Sequence, residues 1–419
     1  MRGSLRVLAH GELRPRLAAN AARVRPVVLC AAPSLARPPW AAFALSICAA
    51  LALTACAASG AEPSAAPPPE RPAPPGLAHR GVNLAGAEFG TDPWGKGRLP
   101  GQHGVDYIYP DPVYAAGYET AEYYRGKGAN AFRLPFRWER VQPQRRSALD
   151  AAELARLEAT VGRLSAGGSM VILDLHNFAR YGTSLVGSEG LPEADLADVW
   201  ARLAARFKAR PNVAFGLMNE PHDMPTEQWV SAANAALAAI RNVGAGNLVL
   251  VPGNGYSGAH SWAERWYGTP NAEALRAVVD PLANYAIEVH QYLDADSSGS
   301  SADCVGPTVG SERMRSFTAW LRAEGKRGFV AEIGGGPGPT CLLALDDLLD
   351  HLEANADLYL GWAYWAGGPW WSDYFLSIEP TGSTDKPQMA ALAPHFAGGP
   401  ATTSKALPAP AAPTRLRRR

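Results

Sequence analysis

The chain has 419 residues, of which 47% are hydrophobic, and it carries equal numbers of basic and acidic residues, 39 of each. The charge is unevenly spread, because residues 77–397 hold 26 lysines and arginines against 36 aspartates and glutamates, a net charge of −10. An acidic body argues against nucleic acid and anionic membrane surfaces as partners and suits a neutral substrate.

Residues 1–56 predict an export leader. A basic, acid-poor segment precedes the apolar run from Trp40 to Cys56, which is short for a transmembrane span and has the order of a secretory signal. The run ends in L-T-A-C, which resembles a bacterial lipobox with Cys56 as the acylated residue. The alternative is an ordinary signal peptide cleaved nearby. We therefore expect an exported protein that is secreted, or is held at the outer membrane or cell surface only by a lipid on Cys56.

Two further segments lack the composition of a folded core. Residues 57–76 are rich in alanine and proline and predict a linker, and residues 399–419 predict a flexible basic tail. Between them, residues 77–398 have a globular composition and enough length for one catalytic domain.

Eight short apolar runs in this domain have the length of buried strands and alternate with helical stretches. The predicted strands are Gly81–Ala85, Ala131–Leu134, Met170–Leu175, Val213–Met218, Leu248–Val251, Tyr285–Val289, Phe329–Ala331 and Leu358–Ala363. The predicted helices are Tyr114–Lys127, Asp150–Ala166, Glu193–Lys208, Thr226–Val243, Ala272–Val279, Glu312–Glu324, Leu342–Asn355 and Lys386–Leu392. This alternation predicts the α/β class and a single (β/α)₈ TIM barrel. A doubly wound open sheet is the alternative, but no G-x-G-x-x-G motif follows the first strand.

Polar residues stand where these strands end. They are Arg133, His176, Asn177, Asn219, Glu220, His290, Tyr292 and Glu332, followed by Trp365 after the eighth strand. The carboxyl ends of barrel strands meet at one rim, where barrel enzymes place their active sites, so we expect these side chains to converge.

Two glutamates carry most of the chemical information. Glu220 lies in the run V-A-F-G-L-M-N-E-P and Glu332 in the run G-F-V-A-E-I-G-G-G. One such glutamate alone would most simply be a surface ion pair, but two at strand ends of one barrel are what retaining glycoside hydrolysis requires.

From Leu77 to Leu392 the sequence resembles glycoside hydrolase family 5. The runs that carry the resemblance are R-G-V-N-L-A-G-A-E-F-G, N-A-F-R-L-P-F-R-W-E-R, L-D-L-H-N-F-A-R-Y, G-L-M-N-E-P-H-D, V-H-Q-Y-L-D-A-D-S-S-G, A-E-I-G-G-G and G-W-A-Y-W-A-G-G-P-W-W-S-D-Y. The set is similar to the endo-β-1,4-glucanase subfamily of fungi and plant-pathogenic bacteria. Phe178 and Tyr364 depart from the common pattern without touching an expected catalytic position.

The resemblance implies a role for each rim residue. Glu220 would be the general acid/base, with a pKa raised by its neighbours, and Glu332 the nucleophile. Arg133 and Tyr292 would donate hydrogen bonds to Glu332 and keep it ionised. His290 would belong to the hydrogen-bond network of the acid/base.

Other residues are predicted to hold the sugar. His176 and Asn219 would bind it beside the scissile bond, and Trp365 would stack under its apolar face. Trp371 and Trp370 fit a sugar platform and loop packing equally well. Asn177, Asn83 and Tyr181 are further candidates for the substrate cleft. Five other tryptophans are expected to pack inside the protein: Trp94, Trp138, Trp200, Trp229 and Trp320.

Only Cys304 and Cys341 remain in the body of the chain. In an oxidising compartment two such cysteines are expected to form a disulfide, here between the loops after the sixth and seventh strands. Two unpaired buried thiols are the alternative.

Together these features predict an exported, monomeric endo-β-1,4-glucanase that acts on a β-glucan by double displacement and needs no cofactor. No metal is expected, because neither His176 nor His290 belongs to an H-x-H or H-E-x-x-H motif. The alternatives are the same chemistry on mannan, xyloglucan or mixed-linkage glucan, and a non-catalytic glycan-binding barrel.

Overall fold

The computed structural model describes residues 76–91, 97, 99–110 and 120–398. The predicted leader with Cys56, nearly all of the linker, the tail and Trp94 lie outside the described residues. Within the described part of the chain, no helix combines the length and the hydropathy that a membrane span needs.

Eight parallel strands close into a barrel, which confirms the predicted fold. They are β1 (His79–Leu84), β2 (Ala131–Phe136), β3 (Met170–Leu175), β4 (Val213–Gly216), β5 (Val249–Pro252), β6 (Tyr285–Tyr292), β7 (Gly328–Gly334) and β8 (Tyr359–Gly367). Each strand pairs with its neighbours in the sequence, and β8 pairs with β1 to close the ring. A two-stranded hairpin, Arg180–Tyr181 with Ser184–Leu185, follows β3.

Helices connect the strands around the outside. They are α1 (Thr120–Gly126), α2 (Trp138–Val141), α3 (Ala151–Leu164), α4 (Glu193–Phe207), α5 (Thr226–Asn242), α6 (Asn271–Ala274), α7 (Val309–Glu324), α8 (Pro339–Ala354) and α9 (Met389–Phe396). Asp150 caps α3 by accepting hydrogen bonds from the backbone N–H groups of Ala152 and Glu153. Trp138, Trp200, Trp229 and Trp320 pack in the interior as predicted.

The barrel interior is layered. Its lower layer is a plug of contacting apolar side chains, one or two from each of seven strands: Ala131, Met170, Ile172, Ala214, Leu250, Ala286, Phe329, Ala331 and Ala363. Side chains two residues apart on a strand face the same side. The residue two positions after a plug residue therefore also points inward, one layer closer to the carboxyl ends. That layer is polar and includes Arg133, Asp174 and Glu288.

One irregularity brings Glu332 into the polar layer. The register between β6 and β7 shifts after Val289, so that His290 lies opposite Glu332 while Val289 lies opposite Val330. An extra residue in one strand changes which side chains face inward. Glu332 is consequently buried beside His290, although strict alternation from Ala331 would turn it outward.

Several predicted boundaries were wrong in detail. The strands β2, β6, β7 and β8 run past Arg133, His290, Glu332 and Trp365, so these residues lie inside strands and not after them. Three of these side chains contact one another inside the barrel, because Arg133 and His290 both lie against Glu332. The predicted helix Ala272–Val279 is α6 followed by a 3₁₀ turn, Leu275–Ala277.

A disulfide joins Cys304 to Cys341, with the two Cα atoms 5.2 Å apart, as predicted. Its position differs slightly from expectation, because Cys341 lies in the first turn of α8 and not in a loop. The bond ties the segment after β6 to the helix that follows β7.

Candidate active site

The two predicted catalytic carboxylates meet at the carboxyl-terminal rim. One oxygen of Glu220, one oxygen of Glu332 and a ring nitrogen of His290 all lie within 4.8 Å of one another. Glu332 is buried, whereas the side chain of Glu220 keeps 17% of its surface exposed. Carboxyl groups this near to each other fit the spacing of retaining glycosidases, ~5–5.5 Å, and not the ~6.5–9.5 Å of inverting ones.

Arg133 organises the floor of the site. Its guanidinium lies 2.7 Å from Glu332 Oε1, 3.0 Å from Asp174 Oδ1 and 3.3 Å from Glu288 Oε1, and it donates to Asn219 Oδ1 at 2.7 Å. Burial would lower the pKa of Arg133, but these carboxylates raise it above its ordinary value. One cation thus contacts three buried carboxylates at once, and it orients two residues of the predicted site, Glu332 and Asn219.

The second oxygen of Glu332 has its own donors. The hydroxyl of Tyr292 donates to Oε2 at 2.5 Å, and His290 Nδ1 lies 3.3 Å from the same atom. Burial raises the pKa of the Glu332 carboxyl, while the charges of His290 and Arg133 act against that rise. Both oxygens of Glu332 therefore accept hydrogen bonds, which fixes the orientation of the carboxylate.

His290 bridges the two carboxylates. Its Nδ1 lies 2.8 Å from Glu220 Oε1, and its Nε2 lies 3.4 Å from Glu288 Oε1. Burial alone would lower the pKa of His290, but Glu332, Glu220 and Glu288 raise it to about 10. The imidazole is therefore protonated near neutral pH and connects the predicted nucleophile to the predicted acid/base.

His176 and Trp365 form one wall. The two rings stack with centroids 5.5 Å apart and planes 17° from parallel, and His176 Nδ1 lies 2.7 Å from Asp174 Oδ2. Burial raises the pKa of Asp174 to about 6, against the opposing charges of Arg133 and His290. Trp371 meets Trp365 edge to face at 5.8 Å.

Trp371 also packs within the loop that carries it. Its ring stacks on Tyr374 at 4.5 Å, meets Phe89 edge to face at 4.9 Å, and donates from Nε1 to the carbonyl of Gly367. These contacts support the packing alternative, and a contact between Trp371 and substrate stays a prediction.

The predicted role of Asn177 in substrate binding was wrong in this geometry. Its side chain is fully buried, its Oδ1 accepts from the backbone N–H of Trp138, and its Nδ2 donates to Glu139 and to the carbonyl of Arg180. Each polar atom is used inside the protein. Asn177 therefore holds the β3 loop to α2 and does not face the cleft.

Asn83 likewise lies beneath the site. It accepts from Arg133 at 2.9 Å and donates to the carbonyls of Ala331 and Tyr364. Tyr181 donates to the carbonyls of Gln142 and Pro143. The hydrogen bonds of Asn83 and of Tyr181 therefore join parts of the protein to one another.

Three charged or titratable residues near the site were not predicted from the sequence. Asp174 and Glu288 lie two residues before His176 and His290 on their strands, and a charged residue inside a continuous apolar strand was the available signal. His222 directly follows the N-E-P motif and is fully buried. Nothing in the spacing of the sequence distinguished it from a loop residue.

Two clusters in the described residues have donor atoms close enough to hold a cation, namely Glu220–His290–Glu332 and Asp350–Glu353–His395. In both, the histidine has a raised pKa, after the opposing effect of burial, because carboxylates surround it. An imidazolium cannot ligate a metal, so both clusters are explained by histidine–carboxylate ion pairs. The predicted absence of a metal stays a prediction.

A closed (β/α)₈ barrel with a buried, clamped carboxylate facing a second one across the rim defines a glycoside hydrolase architecture. The sequence model described as cellulase (glycosyl hydrolase family 5) matches residues 109–368. The chain belongs to this family, as its motifs predicted.

Relatives and solved structures agree with this membership. Endo-beta-1,4-glucanase B of Emericella nidulans is 38% identical over 307 residues, which cover 73% of this chain and 87% of the relative. The structure of the endo-beta-1,4-glucanase Xac0029 from Xanthomonas axonopodis pv. citri is 46% identical, with a TM-score of 0.72, and the match covers 77% of this chain and 99% of that one. The structure of XacCel5A in complex with cellopentaose is 43% identical, with a TM-score of 0.72, and the match covers 76% of this chain and 99% of that one.

Proposed function

We propose that this protein is an endo-β-1,4-glucanase that hydrolyses internal bonds of cellulose-type glucans with retention of anomeric configuration. The observation that carries the proposal is the pair of opposed glutamates, one clamped by Arg133 and Tyr292 and the other partly open to solvent. The endo-beta-1,4-glucanase names of the relatives and the cellopentaose complex support the choice of substrate class.

In the first step, Glu332 attacks the anomeric carbon and Glu220 protonates the departing glycosidic oxygen. Arg133 and Tyr292 hold the attacking carboxylate in one orientation, which removes an entropic part of the barrier. A glycosyl-enzyme ester forms, and the remainder of the glucan leaves with the proton of Glu220.

In the second step, Glu220 takes a proton from water, and the resulting nucleophile displaces Glu332 from the sugar. His290 contacts both carboxylates, and its positive charge stabilises whichever of them is ionised. Two inversions give net retention, and the residues return to their starting protonation states.

The sugar at the cleavage point would contact His176 and Asn219 through its hydroxyls and Trp365 through its apolar face. Asn219 is already oriented by Arg133, which accounts for a fixed hydrogen-bonding direction toward the substrate. Arg133 would thus position both the nucleophile and a sugar ligand.

We further propose that the protein acts outside the cytoplasm as a monomer. The disulfide between Cys304 and Cys341 supports an oxidising compartment, and the leader sequence supports export. Lipidation of Cys56 remains a proposal from its L-T-A-C context alone.

The first test is reducing-sugar release by residues 77–398 from carboxymethylcellulose, mixed-linkage glucan, galactomannan and xylan, with Glu332→Gln as the blank. We expect release from the cellulose derivative, falling on the order of 10⁴-fold in the variant because the covalent step is lost. Release only from another polymer would keep the mechanism and replace the substrate. Folded protein that binds glycan without turnover would favour the binding-protein alternative.

A further inference from the structure

We propose that His222 is a positioning residue for the acid/base, acting through the main chain of Glu220. The inference rests on the proposed function, in which Glu220 transfers the proton. The two ring nitrogens of His222 contact Arg180 and the backbone of Glu220. It is fully buried behind Glu220, on the loop after β4.

The hydrogen-bond partners of His222 determine its tautomer. Arg180 Nη1 lies 3.0 Å from His222 Nε2, and Nδ1 lies 2.9 Å from the backbone carbonyl oxygen of Glu220. A guanidinium has only donors, so Nε2 accepts and the ring hydrogen is on Nδ1. The neutral imidazole therefore donates to the carbonyl of Glu220. Burial and the charge of Arg180 also lower the pKa of His222, in agreement with the neutral form.

This hydrogen bond falls where the backbone is strained. Glu220 has a φ of +43° and Asp223 a φ of +60°, in the left-handed region that side chains other than glycine avoid. Such conformations persist only when surrounding contacts impose them. The bond from His222 to the Glu220 carbonyl is such a contact, and Arg180 adds another by donating to Asp223 Oδ2 at 2.9 Å.

The ring of His222 also joins the loops on either side. It stacks on Tyr256, after β5, with centroids 4.2 Å apart and planes 15° from parallel, and meets Phe178, after β3, edge to face at 5.9 Å. Both neighbours have positive φ values, +61° and +53°. His222 thus lies where three strained loops meet, and it stabilises their shared arrangement.

The contact with His222 determines where the Glu220 carboxyl lies. With its carbonyl held by His222, Glu220 projects its carboxyl to within 2.8 Å of His290. Without the imidazole, the Glu220 backbone can relax to a more favourable φ, and the carboxyl moves away from the glycosidic oxygen. The nucleophile Glu332 is held by a separate set of donors and should keep its position.

Because Glu220 and Glu332 are held by different contacts, loss of His222 should affect proton donation and not nucleophilic attack. A general loss of structure would affect both. Proton donation matters for a polysaccharide, whose leaving group is a sugar alcohol, and matters little for a dinitrophenyl cellobioside, whose leaving group departs as an anion. We expect His222→Ala to reduce kcat on soluble β-glucan on the order of 10²-fold. The initial burst of dinitrophenolate should slow less than about threefold, since Glu332 still attacks.

The Asn and Gln variants form the matched pair. An asparagine Nδ2 can take the place of Nδ1, whereas a glutamine amide reaches toward Nε2. We expect His222→Asn to retain most of the polymer activity and His222→Gln to behave like His222→Ala. Circular dichroism and thermal unfolding of each variant report folding. Where the alanine variant does not fold, the Asn and Gln pair decides.

Two results would overturn the proposal: equal losses on both substrates, or polymer activity in His222→Ala within about twofold of the unmodified protein. Glu220→Gln supplies the expected pattern for a missing acid, and Glu332→Gln the pattern for a missing nucleophile. Full turnover by those two variants would instead contradict the proposed function, so the two failures are distinguishable.

Discussion

At the scale of single residues, the main feature of the candidate site is that its charged side chains are buried. Isolated charges inside a protein cost several kcal/mol each, so they must be paired. Arg133 and His290 supply the positive charge, and Asp174, Glu288 and Glu332 surround them. Asp174 and Glu288 are therefore part of the charge network of the candidate active site, although both side chains are fully buried.

This pairing also shows which residues a sequence can reveal. Glu220 and Glu332 were predictable, because the apolar strands before them and the motifs around them indicate a position at the carboxyl-terminal rim of the barrel. An acidic residue inside an apolar strand marks Asp174 and Glu288 as unusual. Their role was not predictable, because only the closure of the barrel places their partner Arg133 beside them.

Glu88 is a further buried carboxylate and gives a prediction about pH. It accepts a hydrogen bond from the backbone of Gly86 at 2.7 Å, and burial raises its pKa from 4.5 to about 8. The folded state therefore favours the protonated form. Stability contributed by this group is full below pH 4.5, falls as the pH rises toward about 8, and is lost above it.

Glu88→Gln replaces the protonated carboxyl with a neutral group. We expect little change in the free energy of unfolding at about pH 5, and stabilisation on the order of 3 kcal/mol at about pH 9. Urea unfolding at the two pH values measures both. Glu189→Gln, on an exposed loop, is the control. A difference for Glu88→Gln that does not vary with pH would refute the role of burial.

At the scale of elements, the sequence predicts which segments form the barrel strands and most of the helices. It does not predict the strand register or the shortest elements. The apolar runs identified every barrel strand, because strands covered on both faces are continuously hydrophobic. The register shift before Glu332 was invisible, since it depends on pairing with β6. The hairpin after β3 and the four-residue α2 are too short for a periodic signal.

The last helix, α9, docks through His395. Its Nδ1 lies 2.8 Å from Glu353 and its Nε2 lies 3.0 Å from Asp346, both on α8. Only an imidazolium donates from both nitrogens. Burial would lower the pKa of His395, but Glu353 and Asp346 raise it above 6.5. The stabilisation is therefore present below pH 6.5 and is lost as the pH rises through the elevated pKa.

His395→Gln should reduce the free energy of unfolding by about 1–3 kcal/mol at about pH 6, because charge-assisted hydrogen bonds are lost. The difference should shrink at higher pH, where the native imidazole has also lost its proton. Paired denaturant titrations at about pH 6 and pH 9.5 provide the measurement. A deficit that grows with pH would contradict the assigned charge state.

The disulfide joins two elements separated by 37 residues in the sequence. Closing such a loop stabilises a protein by roughly 2–4 kcal/mol, chiefly through the unfolded chain. Cys304→Ser with Cys341→Ser should lower the unfolding free energy by that amount while leaving turnover of short substrates within about twofold. Cys304→Ser alone should leave the buried Cys341 as a free thiol, which thiol reagents label without reductant once the protein is unfolded. Labelling of both Cys304 and Cys341 in the unfolded, unreduced parent protein would show that the bond does not form in solution.

At the scale of the whole molecule, charge distribution and substrate chemistry are linked. Residues 77–397 carry the net charge of −10 noted above, from 26 basic and 36 acidic residues. A neutral glucan is indifferent to that field, whereas a carboxymethylated one is repelled by it. The polymer used to measure activity therefore changes the apparent affinity.

The salt dependence of KM distinguishes the charged polymer from the neutral one. Raising NaCl shortens the Debye length from about 20 Å near 0.02 M to about 4 Å near 0.5 M, which screens the repulsion. For residues 77–398 we expect KM on carboxymethylcellulose to fall roughly two- to fivefold over this range, with kcat unchanged, because only the encounter is affected. KM on neutral mixed-linkage glucan should vary by less than about 1.5-fold. The same fall on both polymers would mean that salt acts on the protein itself, and a rise on carboxymethylcellulose would mean that a local basic surface, and not the net charge of the barrel, governs how the substrate approaches.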